Sequence, residues 1–437
     1  MNIKGERTMA KDTRKEIANQ SIYQVFVRNH SEEGTFKKVQ DDLPRIKAMG
    51  FDTVYLMPIN PIGVKCRKGT LGSPYAISDY RAINPEFGTL EDFKELIEET
   101  HKLDMKVMVD IVLNHTSPDN VYVDKHPEYY YRTEKGTLGN RVGDWTDIVD
   151  LDYSNQGLRE ELWDMLTYWA KLGIDGYRAD VASIVPVDFW LEARRRVANI
   201  NPNFIWLAES VHAHFINMIR NGGWGIANDY EIFEAFDICY DYDVFEITQE
   251  VFKRNYPLDA FKKTYVLQQS IYPKDALKLR HLENHDQPRI ANLVQNKTEV
   301  ENWIAYSFFA KGVAFVYAGQ EFGATKHPSL FDKDVISLVD NGVNHSDLIK
   351  KLNEIKHEEI MINHDKYILH ENKEDILMIE YYAGDKKMLG IFNVRGYKGK
   401  VKTDFEDGEY INKISGEKIQ VENNEIEVTV KPIIIEK

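Results

Sequence analysis

The sequence predicts an α/β chain: a (β/α)8 TIM barrel, a short inserted loop domain after its third strand, and a C-terminal antiparallel β domain. Three observations predict it. Short apolar runs alternate with amphipathic stretches through residues 20–345, as strand–helix units do. The connection over 116–156 is much longer than its neighbours, the mark of an inserted module or a functional loop. Beyond about residue 344, alternating segments are separated by the turn pairs Gly384-Asp385 and Asp407-Gly408. The expected bounds are 20–345 for the barrel, 116–156 for the insertion within it, and 362–437 for a C-terminal β-sandwich.

The elements follow in order. Residues 22–27 form the first expected strand, and 36–49 a helix stopped by Gly50. Residues 53–57 are almost wholly apolar, as a strand covered on both faces must be. A helix over 91–103 leads to a third strand at 106–112. A helix at 158–172 leads to a fourth at 174–179, and a helix at 186–197 to a fifth at 204–208. A short helix at 215–220 precedes a weakly marked sixth strand at 236–242. The seventh is expected at 277–282 and, after a helix at 303–311, the eighth at 313–317. A helix over 347–361 then leads to strands at 376–382, 387–393, 400–403, 426–430 and 433–435. The same alternation fits an open doubly wound sheet. No phosphate-cradling glycine turn follows the first strand, which argues against the nucleotide-binding form of that alternative.

Length and composition bound the function. The 437 residues suffice for a large core and more than one domain, and 43% hydrophobic with 12% aromatic residues is a globular composition. Its 24 Tyr, 20 Phe and 7 Trp suit a site where flat rings stack on sugars. A net charge of −15 argues against nucleic acid or an anionic membrane as main partner. Cys66 and Cys239, the only cysteines, have no metal-ligand spacing and read as unpaired thiols of a reducing compartment. The first 19 residues lack the apolar core of a signal peptide, and no run approaches a membrane span, so a cytoplasmic location is expected. Residues 1–8 show no structural pattern, and Met9 reads as an alternative start.

In such a barrel the chemistry lies at the C-terminal ends of the strands. Asp110, Asn114 and His115 lie within or after the third strand, Arg178 and Asp180 at the end of the fourth, and Glu209 after the fifth. Glu283-Asn284-His285-Asp286 follows the seventh. Arg178 and Asp180 are two apart, so on a strand they face the same side, where the arginine favours an ionised carboxylate suited to nucleophilic attack. Three carboxylates, Asp180, Glu209 and Asp286, thus converge from three strands. Asp110 reads as a buttress, and Asp79 and Glu321 as structural. Trp145 and Trp224 are candidates to line a cleft, whereas Trp303 belongs on a core helix.

These residues carry a recognisable pattern. The segments 110–115, 176–180, 207–210 and 283–286 resemble, in order, the four best-known motifs of the α-amylase family, glycoside hydrolase family thirteen. Residues 50–58, 74–80 and 317–321 agree with weaker motifs of that family. The resemblance implies that Asp180 would be the nucleophile, Glu209 the general acid and then base, and Asp286 the stabiliser of an oxocarbenium-like transition state. It implies that His115 and His285 would bind sugar hydroxyls, that Tyr75 would stack on the cleaved unit, and that Arg178 would orient Asp180. Asn114 matches a calcium ligand of many relatives. The Lys-His pair that secreted relatives carry after the nucleophile is absent from 181–186, and the insertion is short. No cofactor is therefore expected to be required, with calcium left possible. The expected activity is retaining hydrolysis of α-1,4 bonds in maltodextrins and other oligosaccharides. The alternatives are a transglycosidase or disaccharide isomerase on the same triad, and a non-catalytic carbohydrate-binding or partner subunit. Oligomeric state is left open.

Overall fold

The computed structural model describes residues 10–437. The expectations for residues 1–8 and Met9 lie outside the described residues. Eight parallel strands close into a barrel: β1 (Ser21–Val25), β2 (Thr53–Leu56), β3 (Lys106–Ile111), β4 (Gly176–Ala179), β5 (Ile205–Ala208), β6 (Ile238–Tyr240), β7 (Leu277–Arg280) and β8 (Val313–Tyr317). They pair in sequence order, and β1 hydrogen-bonds to both β2 and β8, so the sheet has no edge. The open-sheet alternative is thereby excluded.

Local sequence explains the helices around the barrel. Thr89 and Asp92 form a reciprocal capping box at the start of Leu90–Lys102. That helix buries Phe93, Leu96, Ile97 and Thr100, one face at helical spacing. The helix Phe36–Ala48 starts on the Thr35 side chain, and Gly50 follows it at φ +88°. A Cβ at Gly50 would also lie 2.8 Å from the Cβ of Asn353, so both conformation and space call for glycine there.

The structure departs from expectation in four places. The first strand stops at Val25, and Val27–His30 forms a helical turn. Between β6 and β7 lie two helices, Tyr242–Phe252 and Leu258–Ile271, that the sequence pattern did not reveal. The second buries Lys262 and Gln268 along with Leu258, Phe261 and Tyr265, so polar letters interrupt its apolar stripe. The insertion contains a short helix, Val121–Lys125, and a ladder of His115–Thr116 with Val149–Asp150. The C-terminal region gains the strands Lys366–Leu369, Gly408–Ile411 and Lys418–Glu422, the first two largely solvent-facing.

The C-terminal strands form two four-stranded antiparallel sheets. Met378, Leu389, Ile391, Ile433 and Ile435 pack against Val401, Phe405, Val421 and Ile426 of the other sheet. Leu377, Ile379, Tyr381, Met388, Phe392 and Ile434 join the main barrel core instead. The first sheet is therefore covered on both faces. No helix among the described residues is long and apolar enough to cross a membrane. Cys66 is exposed, Cys239 is buried, and both thiols are free.

Candidate active site

Strand register assembles the site. Asp110 of β3 lies beside Arg178 of β4, and Ala179 of β4 beside Ala208 of β5. Asp180 and Glu209 are thus the first residues past two neighbouring strands. Arg178 is fully buried. Its Nη1 donates to Asp110 Oδ1 at 3.0 Å, to Asp110 Oδ2 at 3.1 Å and to Asp180 Oδ1 at 3.1 Å, and its Nη2 lies 3.0 Å from Glu209 Oε2. One guanidinium therefore faces three carboxylates. Two further residues hold Asp110 from the far side: Tyr55 donates to its Oδ2 at 2.6 Å and Tyr75 at 3.0 Å.

The backbone turns sharply after Asp180. Val181 takes φ +40°, unusual for a β-branched residue, and its N–H donates to Glu209 Oε2 at 2.8 Å. Glu209 is thus held by a charge and a backbone amide. Asp180 Oδ2 is buried without a hydrogen-bond partner. Such an atom is costly to leave unpaired and is free to make a new bond.

Burial, the negative charge of Glu209 and then the opposing pull of Arg178 set Asp180, with the net result well above the ordinary carboxylate range. Burial also raises Glu209, against Arg178 and with Asp286 adding to the rise. In both, loss of water is the largest cause and outweighs the arginine they share. Asp286 opens onto the cleft, with 38% of its side chain exposed. The surrounding protein pushes it up, but His285 and then Arg178 prevail and leave it below its usual value.

His285 is fixed on both ring nitrogens. Gln24 Nε2 lies 2.7 Å from its Nδ1, while Tyr75 Oη at 2.5 Å and Asp286 Oδ2 at 3.0 Å face its Nε2. An amide N–H donating to Nδ1 leaves the ring proton on Nε2, pointed at the tyrosine and the carboxylate. The Tyr75 ring also stacks on His285, with centroids 5.4 Å apart and planes 19° from parallel. His115 is buried 5.5 Å from the ring of Trp145, and burial pushes it down to about 4 against the charge of Asp147. It is neutral at pH 7.

Asn114 stands apart from the carboxylates. Its Nδ2 lies 3.2 Å from His115 Nδ1 and 3.5 Å from Asp150 Oδ1. Asp150 Oδ2 accepts from the Arg141 backbone N–H at 2.8 Å and from Arg141 Nη1 at 3.1 Å. Burial still raises Asp150 to about 6. This donor set does not fit calcium, which takes six to eight oxygens: its one carboxylate is already opposite an arginine. Among the described residues no group of three or more His, Cys, Asp or Glu is placed to hold a metal.

The tryptophans divide as their surroundings dictate. Trp303 is a buried core residue. Trp145 stacks on Phe215 and packs in a small apolar cluster with Val181 and Val211, beside the two central carboxylates. Trp224, 36% exposed, meets Tyr131 and the guanidinium of Arg141. Asp79 accepts from the Arg81 backbone N–H. Glu321 is buried, accepting from Tyr23 at 2.6 Å and Arg45 at 2.7 Å. Sequence reasoning passed over Gln24, Tyr55, Tyr240 and Arg141. A glutamine within the wholly buried strand β1 was a usable signal. Tyr240, whose Oη lies 3.4 Å from Arg178 Nε, and Tyr55 look in sequence like any core tyrosine.

Comparison with known proteins extends these observations. The profile described as the α-amylase catalytic domain matches residues 11–145 and 141–367, and that of the bacterial α-amylase C-terminal domain matches 368–435. The structure is similar to that of an α-amylase from Lactobacillus plantarum, with TM-score 0.94 and 42% identity over 97% of this chain and 100% of that one. It is also similar to a noncanonic maltogenic α-amylase, AmyB, from Thermotoga neapolitana, with TM-score 0.85 and 32% identity over 97% and 99%. Among curated proteins, the alpha-1,4-glucan:maltose-1-phosphate maltosyltransferase of Myxococcus xanthus is 34% identical over 213 residues, 43% of this chain and 32% of that protein. The enzyme of the same name from Rhodospirillum rubrum is 37% identical over 213 residues, 43% and 31%. The chain spans about a third of the length of these curated relatives.

Proposed function

This chain belongs to the α-amylase family, and from that membership we propose that it is a retaining α-glycosidase that hydrolyses α-1,4 bonds of maltodextrins through a covalent glycosyl-enzyme. The observation that carries the proposal is the single Arg178 guanidinium held against both Asp180 and Glu209, with Asp286 beside them on His285.

Asp180 attacks the anomeric carbon while Glu209 gives its proton to the glycosidic oxygen, and the bond to the leaving sugar breaks. Asp286, held ionised by His285, faces the positive charge that grows on the ring. Once Asp180 is esterified it carries no charge, and the Arg178 guanidinium is left to favour an ionised Glu209. Glu209 then takes a proton from the attacking water, and the sugar leaves with its original configuration. Arg178 keeps both carboxyls in place throughout. In the same reading Tyr75 presents its ring and His115 a ring nitrogen to the sugar, while His285, engaged at both nitrogens, holds Tyr75 and Asp286 in place. Arg141 supplies the positive charge beside Asp150 in this reading, so no metal is proposed at that carboxylate.

The whole-chain likeness to α-amylases favours hydrolysis. Transfer to a second sugar is the other reading, favoured by the maltosyltransferases among the relatives. Both use the same covalent step and differ in whether water or a hydroxyl accepts the glycosyl group. The test is an NMR analysis of maltoheptaose digests, following anomeric configuration and chain length. Short α-configured products, with Asp180→Asn and Glu209→Gln slowed on the order of a thousandfold or more while still folded, are expected. Products longer than the substrate would shift the assignment to transfer. β-Configured products would overturn the retaining mechanism, and no turnover by the folded wild type would return the chain to the binding-subunit reading.

A further inference from the structure

A second cavity, of about 1070 Å³, lies at the opposite pole of the barrel. The proposed catalytic residues follow the C-terminal ends of the strands. This cavity instead reaches Leu277, the first residue of β7, and Gly312, just before β8. Further walls come from the segment around 10–18, from residues 271–275 before β7, and from residues 361–365 and Tyr381 of the C-terminal region.

Its charge runs against that of the chain. Lys11, Arg14, Lys15, Lys274, Lys311 and Lys356 line it, opposed by Asp275 and Asp365. The whole protein has net charge −15, so six cations around one cavity are not a sample of its surface. One of them is paired, Arg14 Nη1 lying 2.8 Å from Glu16 Oε1. Lys356 is 1% exposed, and its Nζ donates to the main-chain carbonyls of Phe308 at 3.0 Å and Gly312 at 2.8 Å rather than to a carboxylate. Lys311 Nζ donates to the carbonyl of Lys274. Among the described residues, no carboxylate lies in ion-pair reach of Lys11, Lys274, Lys311 or Lys356. His364 Nδ1, also at the cavity, is buried without a partner.

The consequence is an excess of positive charge, six basic residues against Asp275 and Asp365. Burial lowers Lys356 to about 7 and Lys311 to about 8, the loss of water outweighing the opposing pull of Asp52 on the first and of Asp275 on the second. An anion entering here would reverse that penalty and supply acceptors to several donors at once, which a phosphate group does best. The space exceeds what a bare phosphate fills, and Ile271, Pro273 and Met361 offer apolar wall for an organic portion.

We propose that this cavity binds a phosphorylated small molecule, a ligand site separate from the carbohydrate cleft. The phosphate could be carried by a sugar or by a nucleoside. Calorimetric titration of the full chain with sodium pyrophosphate, glucose 1-phosphate and adenosine monophosphate, with glucose as the uncharged control, tests the site and distinguishes these sources. Binding of at least one phosphate at a Kd of about 1 mM or tighter is expected, with none for glucose at this site. The Lys274→Ala/Lys311→Ala double variant should weaken it about tenfold or more, while Asp180→Asn and saturating maltoheptaose leave it unchanged. If the double variant does not fold, Lys11→Ala, at an exposed position, is read in its place. Whichever phosphate binds most tightly identifies the source. The proposal is overturned if no phosphate binds up to about 10 mM, or if binding survives these lysine substitutions undiminished.

Discussion

Arg178 shows how one residue organises chemistry. Buried and always charged, it lets three carboxyls approach one another where water cannot screen them. Without it the site would hold carboxyls that repel or take up protons. His115 shows a different consequence of burial. Its imidazole falls to about 4 from an ordinary value of 6.5. Between those values the unfolded chain binds a proton that the folded chain refuses, so stability rises with pH across that window. The contribution is present in full above pH 6.5 and lost as pH falls toward 4, by up to about 3 kcal/mol. His115→Asn should therefore flatten the stability profile. Urea unfolding of both proteins at several pH values between 4 and 7 measures this, and a difference that stays constant with pH would exclude the burial account.

At the scale of the element, the insertion matters most. Its short ladder brings Asp150 beside His115, and Arg141 ties that carboxylate to Tyr131 and Trp224 through its charge and its flat face. Removing one member of a buried pair leaves the other uncompensated, so Arg141→Ala should destabilise by about 3 kcal/mol at pH 7. The loss should shrink near pH 5, where Asp150, already raised to about 6, takes a proton instead. A chelator should leave the wild-type Tm unmoved. Thermal melts with and without EDTA at both pH values check these outcomes, and a Tm that falls on chelation would restore a metal to this site. The short insertion and Asn114 as a candidate ligand were visible in sequence. The arginine was not, because nothing in the pattern of 116–156 says which positive charge folds back onto Asp150.

For the whole molecule, the C-terminal β region is part of the barrel's packing. Phe309 meets Tyr381 at 5.3 Å and Phe392 at 5.6 Å, and Tyr381 donates to the Phe309 carbonyl at 2.8 Å. Lys262, buried in a barrel helix, donates to the Asn372 carbonyl at 2.9 Å and to that of Glu374 at 2.7 Å. Gly390 lies where the two parts meet, and a Cβ there would come 2.7 Å from the Phe309 ring and 2.6 Å from that of Phe392. Gly390→Ala should cost about 1–3 kcal/mol as the rings shift to admit a methyl group, measurable by chemical unfolding. An unaffected midpoint would mean that the two parts yield more easily than their packing implies.

What the sequence by itself determined was the order and polarity of the elements. Apolar runs such as Thr53–Leu56, and charged residues placed just past them, are local facts. Because a parallel barrel gathers the C-terminal ends of its strands at one pole, they sufficed to bring Asp180, Glu209 and Asp286 to one site. Only the tertiary structure decided what depends on distances between remote segments. These include the sharing of Arg178 by three carboxyls, the fixing of His285 by Gln24 and Tyr75, the answer of Arg141 to Asp150, and the gathering of six cations at the far pole. The physical reason is that hydrophobic periodicity follows from each element's own neighbours in sequence. Hydrogen bonds, ion pairs and pKa shifts are set by groups tens to hundreds of residues apart, and only the folded chain places them a few ångströms from one another.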